Sequence, residues 1–315
     1  MPPHAKAPLM RTRLDPKLDI VFKLLFAEER NKHLLLSLLN AVLQPQAPIQ
    51  TVTVLPSEPA KDAVDDKGIA LDLRVALASG EQVDIEMQSQ PRPAGRERIL
   101  YYWARLYGSQ LSRGEHYPAL RRCVVVLITD FNELDSSRFH SVFQVQETHD
   151  HSSLSEQLEI HLVELTKLPL APTNYEPDLV LWGKFLAADS DDELESLAMN
   201  SPVLKQATDA LDRLSADPQA RALAEQRELA LISYQLDLGK VHAQGEAKGR
   251  AEGEAKGRAE GRAEGKVETV RKLLTLKFGQ LPEAASLRLD AAKEPDLDRW
   301  LERVLTADSL DAVLT

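Results

Sequence analysis

Between residues 69 and 90 the chain places acids at a spacing that could hold a metal ion. Ile69, Leu71, Leu73, Val75 and Leu77 are separated by Ala70, Asp72, Arg74 and Ala76. After Ala78-Ser79-Gly80 the alternation resumes, with Val83, Ile85 and Met87 set against Gln82, Asp84, Glu86, Gln88 and Gln90. Two period-2 runs about a glycine-containing turn predict a β-hairpin with one apolar and one polar face. The apolar positions of both strands are odd-numbered, so opposed residue numbers sum to an even number. A three-residue loop at 78–80 makes that sum 158, which opposes Asp72 to Glu86 and Arg74 to Asp84. A sum of 160 opposes Asp72 to Gln88 instead. Carboxylates directly opposed on neighbouring strands have Cβ atoms about 5 Å apart and repel. A hard divalent cation shared between them reverses the sign of that interaction. Gln88, two residues beyond Glu86, points to the same face and can orient a water or a phosphate. The chemistry so assembled is metal-assisted hydrolysis of a phosphate ester. The other reading of the same residues is the solvated face of an amphipathic hairpin, and alternation alone does not separate the two.

Elements on either side must position this hairpin. Asp15-Pro16 predicts a helix start, with Leu18, Val21, Phe22, Leu25 and Phe26 at helical spacing after it. A polar break at 27–31 separates it from a second helix over 31–43, and Thr51–Leu55 has the β-branched character of a strand. Residues 96–113 predict a helix with Leu100, Trp103, Leu106, Tyr107 and Leu111 on one side and Gly114 as its stop. Cys123–Ile128 is a continuous apolar run, the pattern of a strand buried on both faces. The order helix, strand, hairpin, helix, buried strand predicts an α/β unit with a mixed sheet. Beyond residue 131 strands are expected at 142–146 and 158–165, and helices at 178–188, 191–199, 203–214 and 218–238.

Other reactive side chains carry less. His140, His149, His151 and His161 lie loosely together, but His149-Asp150-His151 has no further ligand at a useful spacing and reads as a surface loop. The single cysteine, Cys123, excludes an intrachain disulfide framework and a multi-cysteine zinc module, and inside an apolar run it reads as a small buried hydrophobe. There is no glycine-rich phosphate loop and no nucleophile elbow.

Taken together, the stretches Asp15-Pro-Lys-Leu-Asp-Ile-Val-Phe-Lys-Leu-Leu-Phe26, Leu71-Asp-Leu73, Ile85-Glu-Met-Gln88 and Tyr101-Tyr-Trp-Ala-Arg-Leu-Tyr107 resemble the Rpn family. These are recombination-promoting nucleases or transposases of the PD-(D/E)XK superfamily, and the resemblance covers about residues 10–240. It implies a restriction-endonuclease-like α-β-β-β-α-β core and Mg²⁺-dependent endonucleolytic cleavage of DNA in recombination or DNA mobility. Carried over residue by residue, Asp72 and Glu86 are the metal-binding acids. Gln88 stands where the superfamily has lysine, and an amide cannot supply lysine's positive charge. Asp19, on the first helix, is the candidate third acid; its alternative is an i,i+4 ion pair with Lys23. Arg98 and Arg105 are the residues expected to meet DNA phosphates, against the alternative of a helix whose aromatics are core and whose arginines are solvated. The rival function is a nuclease-like fold with weakened catalysis that binds DNA or protein, or oligomerises.

Net charge at first argues against a nucleic-acid partner, since 49 acids outnumber 38 bases for a net of −11. The imbalance is local. Residues 1–130 carry 17 bases and 15 acids, and residues 131–200 carry 3 and 14. Within the first part, residues 92–122 hold seven arginines and only Glu97 and Glu115 as acids. Hydrophobic residues make up 43%, enough for a packed core, and no apolar run reaches the roughly 20 residues of a membrane span. With no apolar signal core near Met1, a cytoplasmic protein without a membrane partner is expected.

Gly245, Gly249, Gly253, Gly257, Gly261 and Gly265 recur every fourth residue among Glu, Lys, Arg and Ala. Glycines in a helix cost about 1 kcal/mol each and opposite-charge i,i+4 pairs return only about 0.3, so an isolated helix here is marginal. The repeat reads as a flexible helical linker or as a ridge for close packing in a homo-oligomer. The expected organisation is a nuclease-like core over 10–130, an acidic α+β extension over 131–240, the repeat over 241–266, and a small helical domain over 267–315.

Overall fold

The computed structural model describes residues 12–56, 73–92, 94–170 and 177–315. Its described residues fall into two compact units, one ending at Leu231 and one running from Ile232 to Thr315. Among them no helix is long and apolar enough to cross a membrane.

The first unit is built on a six-stranded sheet: β1 (Val52–Leu55), β2 (Leu73–Leu77), β3 (Gln82–Gln88), β4 (Cys123–Thr129), β5 (His140–Gln146) and β6 (Ser153–Glu164). The spatial order is β1-β2-β3-β4-β6-β5. The first three strands form an antiparallel meander, β3, β4 and β6 run parallel, and β5 returns antiparallel on the edge. This is the mixed α/β sheet that the alternations predict. Every residue of β4 is buried, as its unbroken apolar run requires of a central strand covered on both sides.

Helices α1 (Asp19–Ala27), α2 (Lys32–Leu43), α4 (Pro177–Ala187) and α6 (Pro202–Ala216) cover one face. Their Phe22, Phe26, Leu35, Trp182 and Leu211 pack with Val75, Val83, Ile85, Met87, Val124 and Val126. The Phe26 ring lies 5.6 Å from that of Trp182, whose indole N–H donates to Ser37 Oγ at 3.1 Å. Helix α3 (Gly95–Gly108) covers the other face, setting Ile99 and Trp103 on Val125, Leu127, Ile160 and Leu162, and Leu106 on Cys123. Each such side chain contributes about 1.5–3 kcal/mol on burial. Helix α5 (Asp191–Asn200) completes the unit, and α7 (Pro218–Phe278) begins in it.

Several boundaries differ from the sequence expectation, each for a local reason. Helix α1 starts at Asp19 and not after Asp15, because the Asp15 carboxylate accepts from Lys17 N (2.9 Å) and holds an Asx turn. The Lys17 ammonium then reaches Asp189 at 2.8 Å and Asp130 at 3.3 Å. Helix α3 ends six residues before Gly114. The Gln110 side chain donates to Arg121 O and accepts from Arg121 N, both at 2.8 Å, and ties the chain to the entry of β4. The buried stripe of α3 runs through Ile99, Trp103 and Leu106, leaving Leu100 at 53% exposure. Strand β6 begins five residues earlier than its apolar run, since its polar first half pairs with β5.

In the second unit α7 ends at Phe278, followed by Gly279 at φ +84°, and α8 (Glu283–Asp290), α9 (Glu294–Thr306) and α10 (Leu310–Leu314) follow. Val270, Leu274, Leu289, Leu297, Trp300, Val304 and Val313 form its core. The short α10 is capped by Ser309, whose Oγ accepts from Ala312 N. Helix α7 continues through all six glycines of the repeat. Its start is seated in one core by Ala220 and Ala224 and its end in another by Val270 and Leu274. Nucleation, the unfavourable step for an isolated helix, is thereby supplied at both ends.

Candidate active site at the end of strand β3

Strands β2 and β3 pair with Leu73 opposite Ile85, Arg74 opposite Asp84 and Val75 opposite Val83, the register in which opposed numbers sum to 158. Gly80, at φ +86°, closes the loop: its N–H donates to Leu77 O and the Leu77 N–H to Glu81 O, both at 2.9 Å. Asp72 lies outside the described residues.

The polar side of β3 is not a solvated face. Asp84 is fully buried and Glu86 is 5% exposed. Parallel pairing with β4 sets Glu86 beside Leu127 and Gln88 beside Thr129, in the middle of the sheet. Carboxylates in such a place cost several kcal/mol unless charge or hydrogen bonds compensate them. The amphipathic-hairpin reading fails on this burial, because α3 covers the side that alternation alone would have left to water.

Where β3 ends, a cavity of about 470 Å³ opens between α1, α3 and the start of α7. Glu86 and Gln88 reach it from β3, Asp19 and Lys23 from α1, Arg98 and Tyr102 from α3, Arg92 from the connection between β3 and α3, and Arg227 from α7. The carboxyl end of a parallel strand is where open α/β sheets gather ligands, because loops and helix starts converge there.

Asp19 is held at this wall by Arg227. The Arg227 guanidinium donates from Nε to Oδ1 at 2.8 Å and from Nη2 to Oδ2, a two-pronged contact across 208 residues of sequence. This partner replaces Lys23 of the i,i+4 alternative, and nothing in the local spacing announced it. Arg98 donates from Nη2 to the Tyr102 hydroxyl, with its guanidinium carbon 5.5 Å from the centre of that ring. Arg105 lies further along α3 and does not line the cavity. Arg96 is engaged by Glu133, with Nε 3.1 Å from Oε1. Of the aromatics on α3, Trp103 packs: it stacks on Tyr107 at 5.0 Å and donates to Cys123 O at 3.1 Å. Cys123 itself is buried, which pushes its thiol up to about 12 and leaves it inert.

The structure also joins residues that the sequence left scattered. His149 and His151 sit in the exposed loop expected of them. His140 and His161, in contrast, come together across β5 and β6, with Nε2 and Nδ1 2.9 Å apart. His161 Nε2 lies 2.7 Å from Glu159 Oε1, and Glu159 also accepts from Gln144 and Arg122. Burial and the neighbouring His161 lower the His140 imidazole to about 4. Burial would raise the Glu159 carboxyl, but the bonds from His161 and Gln144 and the charge of Arg122 bring it down to about 2. None of these residues lines the cavity, and the network ties the edge strand β5 to β6.

Among the described residues no three His, Cys, Asp or Glu side chains are grouped to share a metal ion. The cavity does present Asp19 and Glu86, and an all-oxygen donor set of this kind suits a hard cation such as Mg²⁺. No curated protein and no solved structure matches the chain. A family model described as PD-(D/E)XK nuclease family transposase matches residues 16–238, the span that holds the sheet, the cavity and the first turns of α7. With well over half of its length matched by that model, the chain belongs to the PD-(D/E)XK nuclease family transposases.

Proposed function

We propose that this chain is a Mg²⁺-dependent DNA endonuclease that promotes recombination or DNA mobility. The observation that carries the reading is the convergence of Glu86 and Gln88 from β3, Asp19 from α1 and Arg98 from α3 on one cavity at the end of β3. Asp72 and Glu86 hold the cation, with Asp19 as a further acid. When bound, the ion lowers the pKa of a water and stabilises charge on the scissile phosphate. The chain's own contribution is positional. Buried β3 fixes the Glu86 carboxylate, the Gln88 amide orients water or a phosphate oxygen without adding charge, and Arg98 takes a phosphate at the wall. Arg105, on the same helix, contacts the DNA backbone further out. The protein acts in the cytoplasm, and the C-terminal helical region supports a homo-oligomer.

The test is nicking of supercoiled plasmid in Mg²⁺. The parent converts it to the relaxed form, while Asp72→Asn and Glu86→Gln, which preserve side-chain volume, abolish conversion with their melting temperatures retained. One feature favours a second reading, a fold that binds DNA without cutting: Gln88 lacks the charge of the superfamily lysine. That reading is adopted if the parent retains plasmid DNA yet leaves it intact in Mg²⁺ and Mn²⁺.

A further inference from the structure

Helix α7 brings into the cavity a cation that no motif announced. Arg227 stands on a fixed wall: Ala220 and Ala224, about two turns and one turn before it, are 3% and 2% exposed. The Arg221 guanidinium donates to Ser215 O and, at 2.7 Å, to Thr12 O, fastening this part of α7 to the body of its unit. The described lining of the cavity carries four cations, Lys23, Arg92, Arg98 and Arg227, against the carboxylates of Asp19 and Glu86. A surplus of positive charge in a protein of net charge −11 marks this cavity as a place for an anion.

We propose that Arg227 is a phosphate-binding residue of this cavity, held by Asp19 in the orientation in which it receives a substrate phosphate. This rests on the reading of the cavity as a phosphodiester site. The guanidinium fork matches two oxygens of a phosphate as it matches two oxygens of a carboxylate. The Asp19 oxygens occupy the fork as phosphate oxygens would, so the side chain is ordered before substrate arrives. The pair is partly open to water, with side-chain exposures of 32% for Arg227 and 16% for Asp19, and a pair so placed exchanges partners readily. A phosphate that enters takes the guanidinium fork in place of the Asp19 carboxylate, which would then be available to a cation where one is present. Arg227 thus brings to the phosphate the positive charge that Gln88 lacks.

The experiment measures binding of a fluorescein-labelled DNA duplex to the full-length protein in EDTA, over a range of salt, so that cleavage plays no part. Neutralising one phosphate contact lowers the slope of log K against log salt by about 0.9 for duplex DNA. Parent protein therefore loses about 3.5-fold more affinity than Arg227→Gln between 50 and 200 mM salt. Asp19→Asn breaks the same ion pair from its other side and keeps the parental slope, which separates a phosphate contact from a structural one. In Mg²⁺, Arg227→Gln also slows nicking, and Arg227→Lys, which keeps the charge and loses the fork, recovers the slope but only part of the rate. The proposal is overturned if Arg227→Gln keeps the parental slope, or if it and Asp19→Asn lose slope or fold alike. If the slope falls as stated but no protein in the series nicks DNA, Arg227 binds phosphate and the nuclease reading is what fails. If Glu86→Gln abolishes nicking and Arg227→Gln matches its parent in slope and rate, the nuclease reading stands and Arg227 is structural.

Discussion

His140 Nε2 and His161 Nδ1 face each other at 2.9 Å across the β5–β6 pair, a line on which only one proton fits. The far nitrogen of His161 meets Glu159, which is bound in turn by Gln144 and Arg122. Burial, and after it the neighbouring His161, lower the His140 imidazole to about 4 from an ordinary 6.5.

The consequence is a loss of stability in acid. The unfolded chain protonates His140 below its ordinary pKa of 6.5, whereas the native state resists until about 4. Stability therefore falls as pH drops from 6.5 towards 4, by up to about 3 kcal/mol from this residue. Glu159, whose native pKa is about 2, adds a second loss below its ordinary 4.5, because its native bonds favour the charged form. Urea midpoints measured from pH 7.5 to 3.5 should hold level above about pH 6.5 and fall below it. His140→Gln should flatten the part between 6.5 and 4.5; an unchanged profile would sink the assignment.

The same network separates a costly ion pair from a cheap one. Arg122 reaches Glu159, whose side chain is 9% exposed, whereas Arg96, 61% exposed, meets Glu133 at the surface. Arg122→Ala leaves Glu159 short of a cation inside the sheet and should cost about 2 kcal/mol or more by chemical denaturation. Arg96→Ala should cost less than about 1 kcal/mol. Equal costs would mean that Glu159 finds compensation elsewhere.

How much of this was legible depended on distance along the chain. The period-2 alternation at 73–77 and 82–88 specified which faces of the hairpin pair, because a slip of one residue would carry Val75 and Ile85 out of the core, but it left open whether opposed numbers sum to 158 or 160. The apolar run at 123–128 specified a central strand for the same reason of burial. Helix phase was harder to read: Ile99 and Leu100 are adjacent and equally apolar, and only the position of β4 decides which is buried. Long-range polar partners left no trace at all. Nothing near Asp19 announces Arg227, and nothing near His140 selects His161 over His149 or His151, since such pairs are set by how elements meet.

Gln88 offers a test by gain. It lines the cavity two residues beyond Glu86 and contributes an amide where a cation would stabilise charge growing on a phosphate. Gln88→Lys inserts that charge at a half-buried position with room beside it. Initial nicking rates in Mg²⁺ should rise by about tenfold or more, with the dependence on Glu86 preserved. A fall in rate would show that the amide holds water or phosphate in a geometry that an ammonium cannot replace.

Glycines in two helices should respond oppositely to alanine, and the reason lies in what a methyl group would meet. At Gly183 in α4 an added Cβ would stand 2.7 Å from Leu168 Cδ2 and 2.8 Å from Phe139 Cζ, both in the packed interior. Gly183→Ala should therefore lower stability by about 1–3 kcal/mol through overpacking, despite alanine's better helix propensity. At Gly249, Gly253 and Gly257 in α7 nothing lies within 4 Å of an added Cβ. There the propensity gain is unopposed, about 0.5–1 kcal/mol for each substitution, visible as increased helicity by circular dichroism. The triple variant also decides between the two readings of the repeat. If the glycine ridge packs against a second copy, the three methyl groups convert an oligomer into a monomer in sedimentation. If the repeat only connects, helicity rises and the sedimentation coefficient reports no change of state.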